Sequence, residues 1–243
     1  MKTIAFHLQK GGVGKTTLSG TIAHSLKSRG KTLLVDVDPQ ANSTSWFLTT
    51  APKFELADVL QGNATVSESI VSSEGIDILP SFGLDGTLKV YGENKLSDEP
   101  FIFCDLAEEL KSMKYDFVIF DLSPSFGKLE KSALLACNEV ITPMTPEFFS
   151  LDGIEIFSNE LNRLAKNFRK APAHNKIIVN SFDARIAQHI EIRSKISELN
   201  YTVFTIPVDP VFRKSQAAHC SPQDFGSMKN ETISSLNVIS NQL

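Results

Sequence analysis

Short apolar runs separated by longer mixed stretches recur along this chain. Residues 3–8, 32–37, 76–79, 117–120, 140–142, 176–179 and 203–206 are dominated by Val, Ile, Leu and Phe. Most are continuous rather than alternating, as expected of strands covered on both faces. Residues 15–29, 55–60, 102–113, 128–137, 151–169 and 186–199 lie between them and read as helices. Strand, helix and strand repeated in this way predict a mostly parallel sheet with right-handed crossovers. The expectation is a single α/β domain of three layers, α/β/α, spanning residues 1–243. Residues 81–100 are rich in Gly, Ser and Asp and read as an irregular surface excursion.

Composition narrows this picture. At 243 residues with 42% apolar side chains, the chain can bury one sizeable core. The formal net charge of −4 gives no global nucleic-acid signature. Cys104, Cys137 and Cys220 are widely spaced, with no metal or disulfide spacing, and read as ordinary thiols. No stretch reaches 18 consecutive apolar residues, the N-terminal run is too short for a signal peptide, and the tail from residue 230 has no basic residues. The expectation is a cytoplasmic protein without membrane attachment.

The chemistry begins at Gln9-Lys10-Gly11-Gly12-Val13-Gly14-Lys15-Thr16-Thr17. This segment follows a predicted strand and opens a predicted helix, the context of a phosphate-binding loop. Glycines let successive N–H groups turn inward around phosphate oxygens, and the helix aims its positive end at the same anion. Lys15 would reach the β- and γ-phosphates of ATP, Thr16 would ligate Mg²⁺, and Thr17 would sit at the α-phosphate. Gly11, Gly12, Val13 and Gly14 supply the backbone cradle. The strict G-x-x-x-x-G-K-[ST] pattern is not met, because Gln9 holds its first position; Lys10 is instead an additional lysine.

K-G-G-V-G-K-T-T resembles the deviant Walker A signature of the MinD/ParA family of P-loop ATPases. The resemblance implies an ATP-bound homodimer in which Lys10 reaches the partner's phosphates; a plain surface lysine is the alternative. Asp36 and Asp38 end a buried strand, on the side that faces the ligand crevice in a parallel sheet. Their segment, Asp36-Val37-Asp38-Pro39-Gln40, resembles the family's D-x-D-P-Q motif. The resemblance implies that Asp38 positions or activates the attacking water, while Asp36 supports the Mg²⁺ site or the loop. Phe117-Val118-Ile119-Phe120-Asp121 has the pattern of a Walker B strand, whose Asp121 would hold a Mg²⁺-bound water. It continues Leu122-Ser123-Pro124-Ser125, without the second proline that the family has.

Further matches extend the resemblance over nearly the whole chain. The stretch 145–153 is similar to one that precedes a long helix in ParA-type proteins. Asn180 falls where the family places an adenine-recognising side chain, although a turn-forming asparagine is the alternative. Pro207, Val208 and Asp209 resemble the second adenine-side loop, and Phe212-Arg213-Lys214-Ser215-Gln216-Ala217 resembles the family's F-x-K/R-x-Q-A helix.

ParA-type proteins bind DNA nonspecifically and are reset by a ParB-like protein that stimulates hydrolysis. Residues 160–214 carry ten Lys/Arg against five Asp/Glu, a net of +5, whereas the remainder is 14 against 23, a net of −9. This asymmetry marks Arg185, Arg193, Lys195, Arg213 and Lys214 as candidates for contacting DNA phosphates; solvated helix faces are the alternative. With no helix-turn-helix before the P-loop, operator-specific repression is not expected. The favoured reading is a slow, Mg²⁺-dependent partition ATPase of the short ParA or Soj type, nucleoid-associated when bound to ATP. A MinD-like or other switch positioning a non-DNA cargo is the alternative. A metabolic P-loop enzyme, such as a biotin-pathway synthetase or cobyrinate amidase, lacks a further catalytic constellation here. Iron-protein relatives lack their paired cluster cysteines.

Overall fold

A computed structural model describes residues 1–83 and 86–243, with Phe149 described in its backbone alone. Eight strands form one sheet: β1 (Lys2–Phe6), β2 (Thr32–Asp36), β3 (Val71–Ser73), β4 (Ile76–Leu79), β5 (Phe117–Asp121), β6 (Glu139–Met144), β7 (Ala173–Phe182) and β8 (Thr202–Pro207). Helices α1 (Lys15–Leu26), α2 (Asn42–Phe47), α3 (Leu56–Leu60), α4 (Val66–Ser69), α5 (Leu88–Asn94) and α6 (Ile102–Ser112) lie in the first half. Helices α7 (Lys128–Ala136), α8 (Phe149–Phe168), α9 (Ala187–Glu198), α10 (Val211–Ala217), α11 (Pro222–Phe225) and α12 (Asn230–Asn241) follow.

The spatial order is β3-β4-β2-β5-β1-β6-β7-β8, parallel except where β3 runs antiparallel against β4. The central strands are continuous apolar runs because both faces are covered. Ala5, Leu33 and Val35 point into one core with α6, α7, α8 and α9. Ile4, Phe6 and Leu34 point into the other, with α1, α2, α10 and α12. Alternation along each strand therefore sorts its side chains between two apolar layers, giving the expected α/β/α sandwich. The chain leaves β1 toward β2 on one side and reaches β6 on the other. The β1–α1 turn thus opens at a topological switch point, where open α/β sheets bind ligands.

The sequence reading of 81–100 is corrected here; Leu84 and Asp85, within that segment, lie outside the described residues. Leu88 and Tyr91, three apart, are buried on one face of α5, and Tyr91 Oη donates to Leu60 O at 3.3 Å. Gly92 brings α5 close to Leu129 of α7. A short helix whose close approach uses glycine looks like a loop in composition. The edge strand β3 and the helices α2, α4 and α12 were likewise not expected from the apolar pattern.

Gly20 sets the contact between α1 and α2. A Cβ there would stand 2.7 Å from Trp46 and 2.8 Å from Phe47, whose rings stack at 4.3 Å. Gly20→Val is expected to destabilise the fold by about 2 kcal/mol through overpacking. Urea unfolding, with a lower midpoint at unchanged slope, checks this.

Candidate nucleotide site

The turn after β1 carries the cradle. Gly12 and Gly14 take φ of 74° and 96°, left-handed conformations that glycine adopts without strain. A Cβ at Gly14 would also collide with Asn180 Nδ2. Helix α1 starts at Lys15 with no side-chain cap and no acidic residue in its first turn. Its free N–H groups and positive dipole end therefore face the loop without an internal anion. Above it opens a cavity of about 620 Å³ bordered by Gly11, Gly12, Gly14, Lys15, Thr16, Thr17 and Asp38.

Lys15 is 7% exposed, and its Nζ donates to Lys10 O at 2.9 Å. Burial lowers its pKa, while Asp121 and Asp38 oppose that shift. Asp36 and Asp121 are register partners on β2 and β5, which brings two buried carboxylates side by side. Both pKa values are raised, Asp36 by burial and then by the charge of Asp121, Asp121 by burial with Asp38 adding to it. The hydroxyl of Ser43, bonded to Asp121 Oδ2, leads the effects that oppose this rise.

The two carboxylates have different surroundings. Asp36 Oδ2 accepts from Thr44 N and Thr44 Oγ1, both at 2.8 Å, and Oδ1 accepts from Asp38 N at 3.3 Å. Its oxygens are thus committed to the loop that carries Asp38, which fits loop support and not metal ligation. Asp121 Oδ2 accepts from Ser43 Oγ at 2.6 Å, whereas Oδ1 is buried without a partner among the described residues. Asp121 and Asp38 face Lys15, and the orphaned Asp121 oxygen is a donor that suits a hard divalent cation.

Asp38 is nearly buried; its Oδ1 accepts from Gln40 N at 2.9 Å. Burial raises its pKa and Glu130 adds to that, against Gln40 N–H and Lys15. Beyond it, Ser123 Oγ donates to Glu130 Oε1 at 2.5 Å, and Gly127 N donates to Glu130 Oε2 at 2.8 Å. The segment after Asp121 is therefore tied to the start of α7. Ser123, at one of the two positions where the family has proline, also shares a 3.0 Å hydrogen bond with Ser125.

Lys10 turns away from the cradle: its Nζ donates to Glu147 Oε2 at 2.6 Å and Ser150 Oγ at 3.1 Å. Asn180 stands against the loop, with Nδ2 donating to Val13 O at 3.0 Å and Oδ1 accepting from Ser181 N at 2.9 Å. Asp209 accepts from Val211 N, Lys229 N and Thr232 Oγ1, so its carboxylate joins α10 to α12. Neither Asn180 nor Pro207, Val208 and Asp209 borders the cavity.

Other residues border it to which the sequence reading gave no site role: Gln40, Asn42, Ser45, Trp46, Pro124 and Gln216. Gln216 Nε2 donates to Thr17 Oγ1 at 3.0 Å, which ties α10 to the cradle. The Q of the F-x-K/R-x-Q-A segment was its signal. Trp46 had none in sequence, because only the turn into α2 brings it there.

The five basic candidates are all exposed but do not share one helix face. Arg185 is bonded twice to Asp183, at 2.9 and 2.6 Å, and Lys195 pairs with Glu191 at 2.7 Å. Arg193, Arg213 and Lys214 have no ion-pair partner among the described residues. Helix α9 belongs to the apolar layer on one side of the sheet and α10 to the layer on the other. The two groups therefore flank the β8 edge.

Comparison with known proteins agrees with this geometry. A family model described as an AAA domain matches residues 1–173. An uncharacterised protein of Borreliella burgdorferi is 41% identical over 219 residues, covering 89% of each chain. The chromosome-partitioning ATPase Soj of Treponema pallidum is 34% identical, covering 78% of this chain and 76% of its own. A Borrelia burgdorferi protein described as a plasmid partition protein, solved with AMPPNP, superposes at TM-score 0.82 and 25% identity, covering 98% and 96%.

Proposed function

The chain belongs to the MinD/ParA family of P-loop ATPases, on its ParA/Soj side, and from that premise we propose that it is a DNA-partition switch. In this reading it binds Mg·ATP in the cavity over α1, dimerises, holds DNA nonspecifically and releases it after hydrolysis. The observation that carries the nucleotide part is the set of Lys15 and convergent carboxylates at an uncapped helix start. Gly11 to Gly14 and Lys15 hold the phosphates. Thr16 and Asp121, through its free Oδ1, hold Mg²⁺, which when bound supplies positive charge against the phosphate oxygens. Asp38 orients the attacking water. Asp36 fixes the loop that presents Asp38.

In the dimer, Lys10 leaves Glu147 for the partner's phosphates, adding charge as an arginine finger does. Its exposed ion pair is a weak restraint. Asn180 and the 207–209 backbone stand on the adenine side and complete their contacts only with nucleotide present. A ParB-like protein stimulates hydrolysis and resets the cycle.

DNA contact is supported by the charge asymmetry and by basic residues on both flanks of the β8 edge. A duplex lying across that edge meets Arg193 on one side and Arg213 and Lys214 on the other. Lys195 adds charge, and Arg185 does so once it exchanges Asp183 for phosphate. Among the described residues no helix is long and apolar enough to cross a membrane.

The deciding experiment compares binding of a nonspecific duplex with ATP, ADP and no nucleotide at fixed salt. Binding is expected with ATP alone. Arg193→Glu combined with Arg213→Glu should weaken it roughly tenfold or more and flatten its salt dependence, with ATP-driven dimerisation retained. A wild-type ATP dimer that ignores DNA would move the reading to a switch for a non-DNA cargo.

A further inference from the structure

The side of α1 away from the phosphates carries a second group of polar residues. His24 lies nine residues beyond Lys15, about 13 Å along the helix axis. It is 2% exposed, and neither ring nitrogen has a hydrogen-bond partner among the described residues. Its ring packs on Phe47 at 4.9 Å. Burial, and then the charge of Lys27, lower its pKa to about 4 against the pull of Asp224, so the imidazole is neutral and keeps a free lone pair. A buried imidazole with no partner is unusual, because buried polar groups are nearly always satisfied.

Two carboxylates complete its surroundings. Glu74 comes from the turn between β3 and β4, and Asp224 from α11. One ligand atom from each of His24, Glu74 and Asp224 lies within 4.8 Å of the others. Ser221 orients both acids: its N–H donates to Glu74 Oε2 at 2.7 Å and its hydroxyl to Asp224 Oδ2 at 2.8 Å. Among the described residues this leaves Glu74 Oε1 and Asp224 Oδ1 without a hydrogen bond. Lys27 balances the charge at present, donating to Asp224 Oδ2 at 3.1 Å and Glu74 O at 3.0 Å.

We propose that His24, Glu74 and Asp224 form a binding site for a divalent transition-metal ion of the zinc class. One imidazole and two carboxylates, each acid steered through its other oxygen, are a donor set that zinc accepts with water in the fourth position. Mg²⁺ favours oxygen ligands and octahedral geometry, so the nitrogen and the three-residue set select against it. The ion joins three parts of the chain far apart in sequence: α1, the β3–β4 turn and α11. Lys27 is its competitor and swings outward when the ion enters.

The test uses the full chain, freed of metal by chelation and kept without nucleotide in excess Mg²⁺. Calorimetric titration with zinc chloride is expected to show one equivalent per chain. Cobalt(II) in its place should give visible d–d absorption bands. Glu74→Gln and Asp224→Asn, both at exposed positions, should each weaken zinc at least about tenfold. Lys27→Met should tighten it severalfold by removing the competing ammonium. His24→Gln is informative if circular dichroism shows it folded; the carboxylate variants decide the matter if it does not. No uptake near one equivalent, or uptake indifferent to both carboxylate variants, overturns the site. Weaker zinc binding in Lys27→Met overturns the competition.

Discussion

Lys15→Ala is expected to abolish measurable Mg·ATP binding while leaving a folded chain. The ammonium is nearly buried at the start of α1, and it is the cation that faces Asp121 and Asp38. Without it, a triphosphate would enter a cavity that Asp38 borders, with the buried charge of Asp121 no longer offset by that cation. Charge-assisted hydrogen bonds are worth roughly 1.5–3 kcal/mol each, and a lysine reaching two phosphates makes more than one. A loss of about 100-fold or more in affinity follows. The fold should survive, because among the described residues the Lys15 side chain's one hydrogen bond is to Lys10 O and the cavity around it is open. Calorimetry with Mg·ATP, beside a thermal melt, separates the two effects. Affinity within threefold of the unsubstituted protein would place the nucleotide elsewhere.

The parts of the site that are continuous in sequence were legible in it. The cradle of residues 11–17 is a local structure, since glycine spacing and a following helix determine where its N–H groups point. The end of β2 was legible for a similar reason: a continuous apolar run announces a buried strand, and acids at its end must meet the crevice. What those acids bond to was not legible. The commitment of Asp36 to Thr44 depends on the turn at Ala41, a non-glycine residue at φ 53°, and on α2 starting directly after it. No apolar period marks a six-residue helix whose buried face is Trp46 and Phe47.

Contacts between segments distant in sequence were legible least. Asn180 sits against the P-loop because β7 passes beside it, and its amide is used there by Val13 and Ser181. The charge count found a basic segment but not its shape. Counting along a chain cannot show that α9 and α10 lie on opposite sides of β8. The β3–β4 turn and α11, which bring Glu74 and Asp224 to His24, have no periodic signal at all.

Asp38→Ala is expected to keep ATP binding within about threefold and to lower turnover by roughly 10²–10⁴-fold, the usual contribution of a positioned acid–base group. Asp38 reaches the cavity from the end of the loop that Asp36 holds, and it also borders a second opening toward Ser123 and Glu130. Its Oδ1 is steadied by Gln40 N–H, so its position does not depend on the nucleotide. With hydrolysis blocked and binding intact, the ATP dimer should accumulate, which gel filtration with ATP would show. Asp38→Asn keeps an oxygen for Gln40 N–H yet loses the carboxylate, so it should match the alanine variant in turnover while melting closer to the unsubstituted protein. Burial and Glu130 raise the pKa of Asp38, and the carboxylate is the form that accepts a proton from water. The rate should therefore fall as pH is lowered, with its acid limb displaced upward from that of an ordinary aspartate. Turnover equal to that of the unsubstituted protein in both variants would remove Asp38 from the reaction and leave its carboxylate as a loop cap.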